Sequence, residues 1–72
     1  MYHRAREFYD IILSEPNLTE REICHRAGLK KTPYSRRILL DLIAGGYIGR
    51  AEKESAERLT YVFYVQESER ML

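Results

Sequence analysis

Helix starts and stops are marked in this chain by single residues, and they limit where its first three elements can lie. Thr19 followed by Glu22 forms a capping box, in which each side chain bonds the other residue's free backbone N–H. Leu18 and Ile23 stand in the positions of a hydrophobic staple across the same helix end. Gly28 supplies the left-handed residue on which helices commonly stop, so a short helix is predicted over Glu20–Ala27. The next start follows at once. Thr32 is an N-cap, and Pro33 takes the first helical position, where its missing N–H costs nothing. Gly45 and Gly46 end that helix.

Upstream, Ala5, Phe8, Tyr9 and Ile12 recur at helical spacing and define one face, with Tyr2 and Leu13 flanking it and Ile11 off it. Pro16 stops this first helix, because the residue before proline resists helical dihedrals, and the predicted span is about His3 to Ser14. In the third helix, Ser35, Ile38, Leu39, Leu42 and Ile43 share one face. Pro33, Arg37, Leu40 and Ala44 fall opposite, with Tyr34 and Arg36 at the edges. A small Ser35 among large aliphatics implies a close helix crossing there.

Beyond the glycines the apolar period falls from about 3.6 to about 2 residues. Leu59, Tyr61, Phe63 and Val65 alternate with Thr60, Val62 and Tyr64, which predicts a strand. Tyr47 to Ala51 is a shorter strand candidate, and the polar stretch Lys53 to Glu57 joins the two as a hairpin loop. It contains no Asn-Gly or Asp-Gly, so a longer connection than a tight two-residue turn is expected. No internal repeat interrupts this order.

With 72 residues there is room for one domain, expected over residues 1–66, and a short tail over residues 67–72. A chain of this size buries only about 60% of its unfolded surface, so every apolar position counts. At 44% hydrophobic and 32% charged, the composition is that of a globular chain. One cysteine makes no internal disulfide, which fits a reducing setting. No stretch approaches the roughly 18 apolar residues of a membrane span. The opening "MYHRAREFYD" lacks the apolar centre of a signal peptide. A soluble, cytoplasmic protein is therefore expected.

Net charge is only +1, so the distribution of charge carries more than its sum. Lys30, Lys31, Arg36 and Arg37 surround the start of the third helix with no acidic residue among them. Arg37 points away from the predicted core, and none of these side chains belongs to the apolar face. The stretch from Glu52 to Glu57 carries three acidic residues and one lysine, Lys53. Cys24 and His25 are adjacent, but neighbours on a helix diverge by about 100°, and only His3 remains as another strong ligand. A structural zinc site wants about four ligands, so Cys24 is expected in the core and no metal or other cofactor is expected. No phosphate-binding glycine loop, nucleophile elbow or metal-binding helix motif appears, and Glu20 and Glu22 are accounted for by the helix N-terminus they occupy. No enzyme and no small-molecule ligand are expected.

The order of three helices and a hairpin, mainly α with a β-hairpin (α-α-α-β-β), resembles the winged helix-turn-helix domain of MarR-, PadR- or ArsR-type regulators. The resemblance runs from about Ala5 to Val65. "LTEREICHRAGL" looks like the first helix of a helix-turn-helix, with Ile23, Cys24 and Ala27 inward. "TPYSRRILLDLIAGGYIGR" is similar to a recognition helix followed by a pattern of leucine, glycine, two apolar residues and a base, here Leu42, Gly46, Tyr47, Ile48 and Arg50. The hairpin would be the wing.

That resemblance implies a sequence-specific double-stranded DNA-binding protein, a small transcriptional regulator or repressor whose third helix enters the major groove. The implied contacts are Lys30, Lys31, Thr32, Tyr34, Arg36 and Arg37 around that helix, and Arg50, Lys53 and Arg58 on the wing. Arginine can bond guanine O6 and N7 together, while lysine and backbone N–H groups hold phosphates. Two alternatives stay open: a winged-helix module that docks a protein, favoured by Leu40 and the acidic wing loop, and the DNA-binding part of a replication or recombination protein. A homodimer is a further expectation, because Tyr61 to Val65 is apolar on both faces and an unpaired strand edge invites a second chain.

Overall fold

A computed structural model describes residues 1–54 and 58–66. Residues 55–57 of the expected hairpin loop and the expected tail over 67–72 lie outside the described residues. Three helices, α1 (His3–Ser14), α2 (Glu20–Ala27) and α3 (Pro33–Ala44), pack with three strands, β1 (Leu18–Thr19), β2 (Ile48–Glu54) and β3 (Leu59–Val65). The strands form one antiparallel sheet in the order β1-β3-β2. Helices α2 and α3 have the bounds their capping residues predict, and α1 covers the span predicted from its apolar spacing and Pro16, with no side-chain cap at Tyr2.

The local chemistry explains why. Thr19 Oγ1 accepts from the Glu22 N–H at 3.2 Å, and Glu22 Oε1 accepts from the Thr19 N–H at 2.9 Å. At the other end of α2 the Leu29 N–H reaches Cys24 O at 2.9 Å and the Gly28 N–H reaches His25 O at 3.2 Å. These two bonds satisfy carbonyls that the helix leaves free, and they require the left-handed Gly28 (φ 74°). Helix α3 repeats the scheme: Thr32 and Ser35 form its capping box, and Tyr47 and Gly46 (φ 79°) close its C-terminus onto Leu42 and Ile43.

The core gathers one face of each element: Ala5, Phe8 and Ile12 from α1, Ile23 and Cys24 from α2, Ile38, Leu39 and Leu42 from α3, with Leu18, Ile48 and Phe63 from the sheet. Cys24 is buried there, while its neighbour His25 is exposed. Tyr9, Ala27 and Ile43, expected inward, are half-buried at its margin, and so is Ile11.

The sheet departs from expectation in three ways. Strand β1 was not anticipated: Asn17, in a left-handed conformation (φ 71°), donates to Phe63 O at 2.8 Å and turns Leu18–Thr19 against β3. Strand β2 begins at Ile48 and runs to Glu54, so Lys53 and Glu54 extend the ladder rather than open the loop. β3 lies in the middle of the sheet, and its Val62–Phe63 stretch is paired on both edges. On the face away from the helices Val62 is 7% exposed, and the Tyr64 hydroxyl lies 2.7 Å from where a Cβ on Gly49 would stand.

Two outcomes test this packing. Cys24→Ser places a hydroxyl in the apolar core and should lower unfolding stability by about 1–3 kcal/mol in urea melts, while a chelator leaves the wild-type melt unchanged. The Glu22 carboxyl is held below the usual carboxylate range, chiefly by the Thr19 backbone N–H. Its ionised form therefore stabilises the fold above that range, and the contribution is lost as pH falls through the depressed folded value. Glu22→Gln should flatten the acid limb of melting temperature against pH.

Candidate nucleic-acid interface

The hairpin carries the core face of the sheet outward past the helices. Alternate residues share a face, and the register pairs Ile48 with Val65, Arg50 with Phe63, Glu52 with Tyr61 and Glu54 with Leu59. The inner pairs cover the core. Further out, Arg50, Tyr61 and Leu59 stand exposed across from α3. A groove of about 540 Å³ results, floored by Leu39, Leu40, Ile43 and Phe63 and walled by Leu59 and Tyr61. Arg21, Lys31, Arg36, Arg50 and Arg58 line it, and Glu20 is the carboxylate that lines it among the described residues. Glu52 and Glu54 follow Arg50 on the same strand face nearer the hairpin end.

A second concavity of about 530 Å³ wraps the start of α3, between Lys31, Thr32, Pro33, Arg36, Arg37 and Leu40. It shares Glu20, Lys31, Arg36 and Leu40 with the groove, so the two form one surface around the helix.

Four of the residues expected at the interface, Lys31, Arg36, Arg50 and Arg58, meet in the groove. Thr32 and Arg37 lie on the adjoining concavity. Lys30 and Tyr34 are exposed near the same helix start without lining either. Lys53 alternates with Arg50 along β2 by an odd step, which turns it to the opposite face of the hairpin, and its charge is felt by Glu22.

The cations are held in different ways. Arg36 Nε donates to Glu20 Oε1 at 3.1 Å, and Ser35 Oγ lies 3.0 Å from Glu20 Oε2. Glu20 is only 8% exposed, and it sits at the first position of α2, where the helix dipole favours a negative charge. Arg36 is thus bound to the fold although it stands off the apolar face, and its removal would strand a buried carboxylate. Arg37 Nε donates to Asp41 Oδ1 at 3.2 Å, one turn along the same helix. Asp41 also accepts from the Tyr2 hydroxyl at 2.8 Å; partial desolvation and this carboxylate raise the phenol above its ordinary value. The Arg50 guanidinium lies 4.4 Å from the centre of the Tyr61 ring, a cation–π contact that keeps it over the groove wall.

Sequence reasoning missed Arg21 and gave Glu20 a purely local role. A basic residue in the first turn of α2 carried no signal, since its direction depends on how α2 crosses α3. Among the described residues no three of His, Cys, Asp and Glu come together to hold a metal, and no helix is long and apolar enough to cross a membrane. Chemically the surface suits a polyanion with some apolar contact. No protein-family model matches the sequence, and no curated protein matches it.

The Arg50–Tyr61 contact is measurable directly. A double-mutant cycle with Arg50→Ala and Tyr61→Leu, followed by urea unfolding, should give a coupling of about 0.5–1 kcal/mol. Strict additivity would mean that the two side chains do not hold each other in solution.

Proposed function

We propose that this chain is a winged helix-turn-helix protein that binds double-stranded DNA sequence-specifically and regulates transcription by occupying an operator. In this reading α3 enters the major groove and the hairpin lies against the sugar–phosphate backbone. One observation carries it: Arg21, Lys31, Arg36, Arg50 and Arg58 converge on one groove from α2, the turn before α3, α3 itself and the hairpin. In a chain of net charge +1 this convergence is not a by-product of overall basicity. Among the described lining residues Glu20 is the carboxylate, and it offsets the charge of its partner Arg36, so the lining stays net positive. A positive concavity of this kind draws in and holds phosphates. A second copy of the chain, related by a two-fold axis, would set two α3 helices about 10 bp apart on a palindromic site.

A second reading is protein docking, favoured by Leu40 and Leu59, which are 44% and 50% exposed beside the cations. Fluorescence anisotropy on random duplex at low and moderate salt separates the two. DNA binding should weaken steeply, with a linear dependence of log K on log salt. Arg37→Ala should cost roughly 1–3 kcal/mol at a single base position if Arg37 reads a base. Arg50→Ala and Arg58→Ala should weaken all duplexes alike and lower the salt slope by about one unit each, whereas Lys53→Ala, on the other face of the hairpin, should change the slope less. No duplex binding by the folded protein at low salt would leave protein docking as the better account.

A further inference from the structure

We infer that Glu20 is a positioning residue for base recognition: it clamps Arg36 by its inner edge and directs the two terminal Nη groups outward as a fork for guanine. This rests on the DNA-binding reading above and goes beyond it by assigning a base and a residue that selects it.

The geometry is asymmetric. Among the described residues Arg36 is bonded through Nε, to Glu20 Oε1 at 3.1 Å. The side chain of Glu20 is 9% exposed and that of Arg36 is 58% exposed, so one end of the pair is anchored and the other is open. The anchor is itself fixed, because Glu20 Oε2 lies 3.0 Å from Ser35 Oγ, which accepts from the Thr32 N–H at 3.0 Å and lies 2.8 Å from Thr32 O. A buried carboxylate deprived of its cation is costly, so the pair persists when a ligand binds. Nε is therefore committed to the fold, and Nη1 and Nη2 remain for the ligand.

An end-on guanidinium presents two nearly parallel N–H groups, which match guanine O6 and N7 in the major groove. Fixing the fork beforehand also removes rotamer freedom that a loose arginine would lose on binding. Arg37 is unlike it: its partner Asp41 is 40% exposed and shared with Tyr2, so that pair can open towards a phosphate at small cost.

The test is selection of duplexes from a random pool by the whole chain, with affinities measured on the selected and random duplexes, and melts recorded for every variant. The wild type should enrich a guanine at one position per bound chain. Arg36→Lys still pairs with Glu20 and keeps the charge but has no fork, so its affinity for the selected duplex should fall further than its affinity for random duplex. Its preference for that guanine should fall by about five- to 150-fold, the range of one bidentate pair. Glu20→Gln keeps the bond to Ser35 and removes the charge that clamps Arg36. It should lose preference at the same position while random binding, with one negative charge fewer in the groove, does not fall, and the double variant should be no worse there than Arg36→Lys alone. A merely structural Glu20 would lower specific and random binding together, in proportion to lost fold, and would overturn the inference. So would a guanine preference that survives Arg36→Lys, a result that does not require Glu20→Gln to fold. If the folded wild type binds no duplex, the DNA reading itself fails and the inference falls with it.

Discussion

The crossing of α2 over α3 is the contact on which the remaining geometry depends. Ser35 is fully buried there, and it is small enough for Glu20 to reach past it. One hydroxyl closes the α3 capping box and also meets a carboxylate from α2, so the start of one helix is tied to the start of the other. A larger residue at position 35 would force the helices apart, and an apolar one would leave Glu20 short of a donor in a place that is 8% exposed. This junction, together with the packing of α1 against both helices, sets the direction of α3 and with it the presentation of Arg36, Arg37 and Leu40.

The sheet supplies the opposite wall of the groove by a different device. β1 contributes only Leu18 and Thr19, yet it pairs with Phe63 and Val62 and places β3 in the middle. A strand buried on both edges is held more firmly than the outer strand of a free hairpin, so β2 and β3 can project beyond the helices without losing their base. The same face is apolar at Ile48 and Phe63 and becomes polar at Arg50 and Glu52, with Tyr61 marking the change. Tyr61 suits that position, with an apolar ring against the wall and its π-face under the Arg50 guanidinium.

What was legible in the sequence divides along the range of the forces involved. Helices α2 and α3 end where a capping side chain or a glycine acts on its near neighbours and α1 stops before a proline, so Thr19, Gly28, Thr32 and Pro16 could be read singly. β1 could not, because Leu18–Thr19 becomes a strand only through bonds to residues more than forty positions away. Lys53 and Glu54 read as loop by polarity, yet pairing with Thr60 and Leu59 keeps them in the ladder. Glu20 misled in a more instructive way. An acidic residue at a helix start has a sufficient local explanation, which hid its role across the α2–α3 contact. Arg21 was silent for the same reason, since only the crossing of α2 over α3 turns it into the groove.

The near-neutral charge of the chain and its basic groove are reconciled by where the acids lie. Five cationic side chains crowded around one groove repel one another and cost stability unless countercharge is near. Exposed carboxylates would relieve the repulsion but would also turn away a polyanion. Burying Glu20, the lining carboxylate among the described residues, relieves it from beneath while leaving the lining net positive. Among the described residues Glu15 pairs with Arg26, Glu7 with Arg4, Asp10 with Arg6, and Asp41 with Arg37 and Tyr2, none of them in the groove lining, while Glu52 and Glu54 lie beyond Arg50 towards the hairpin end. A charge count over the whole chain averages these regions together and understates what a ligand in the groove would meet.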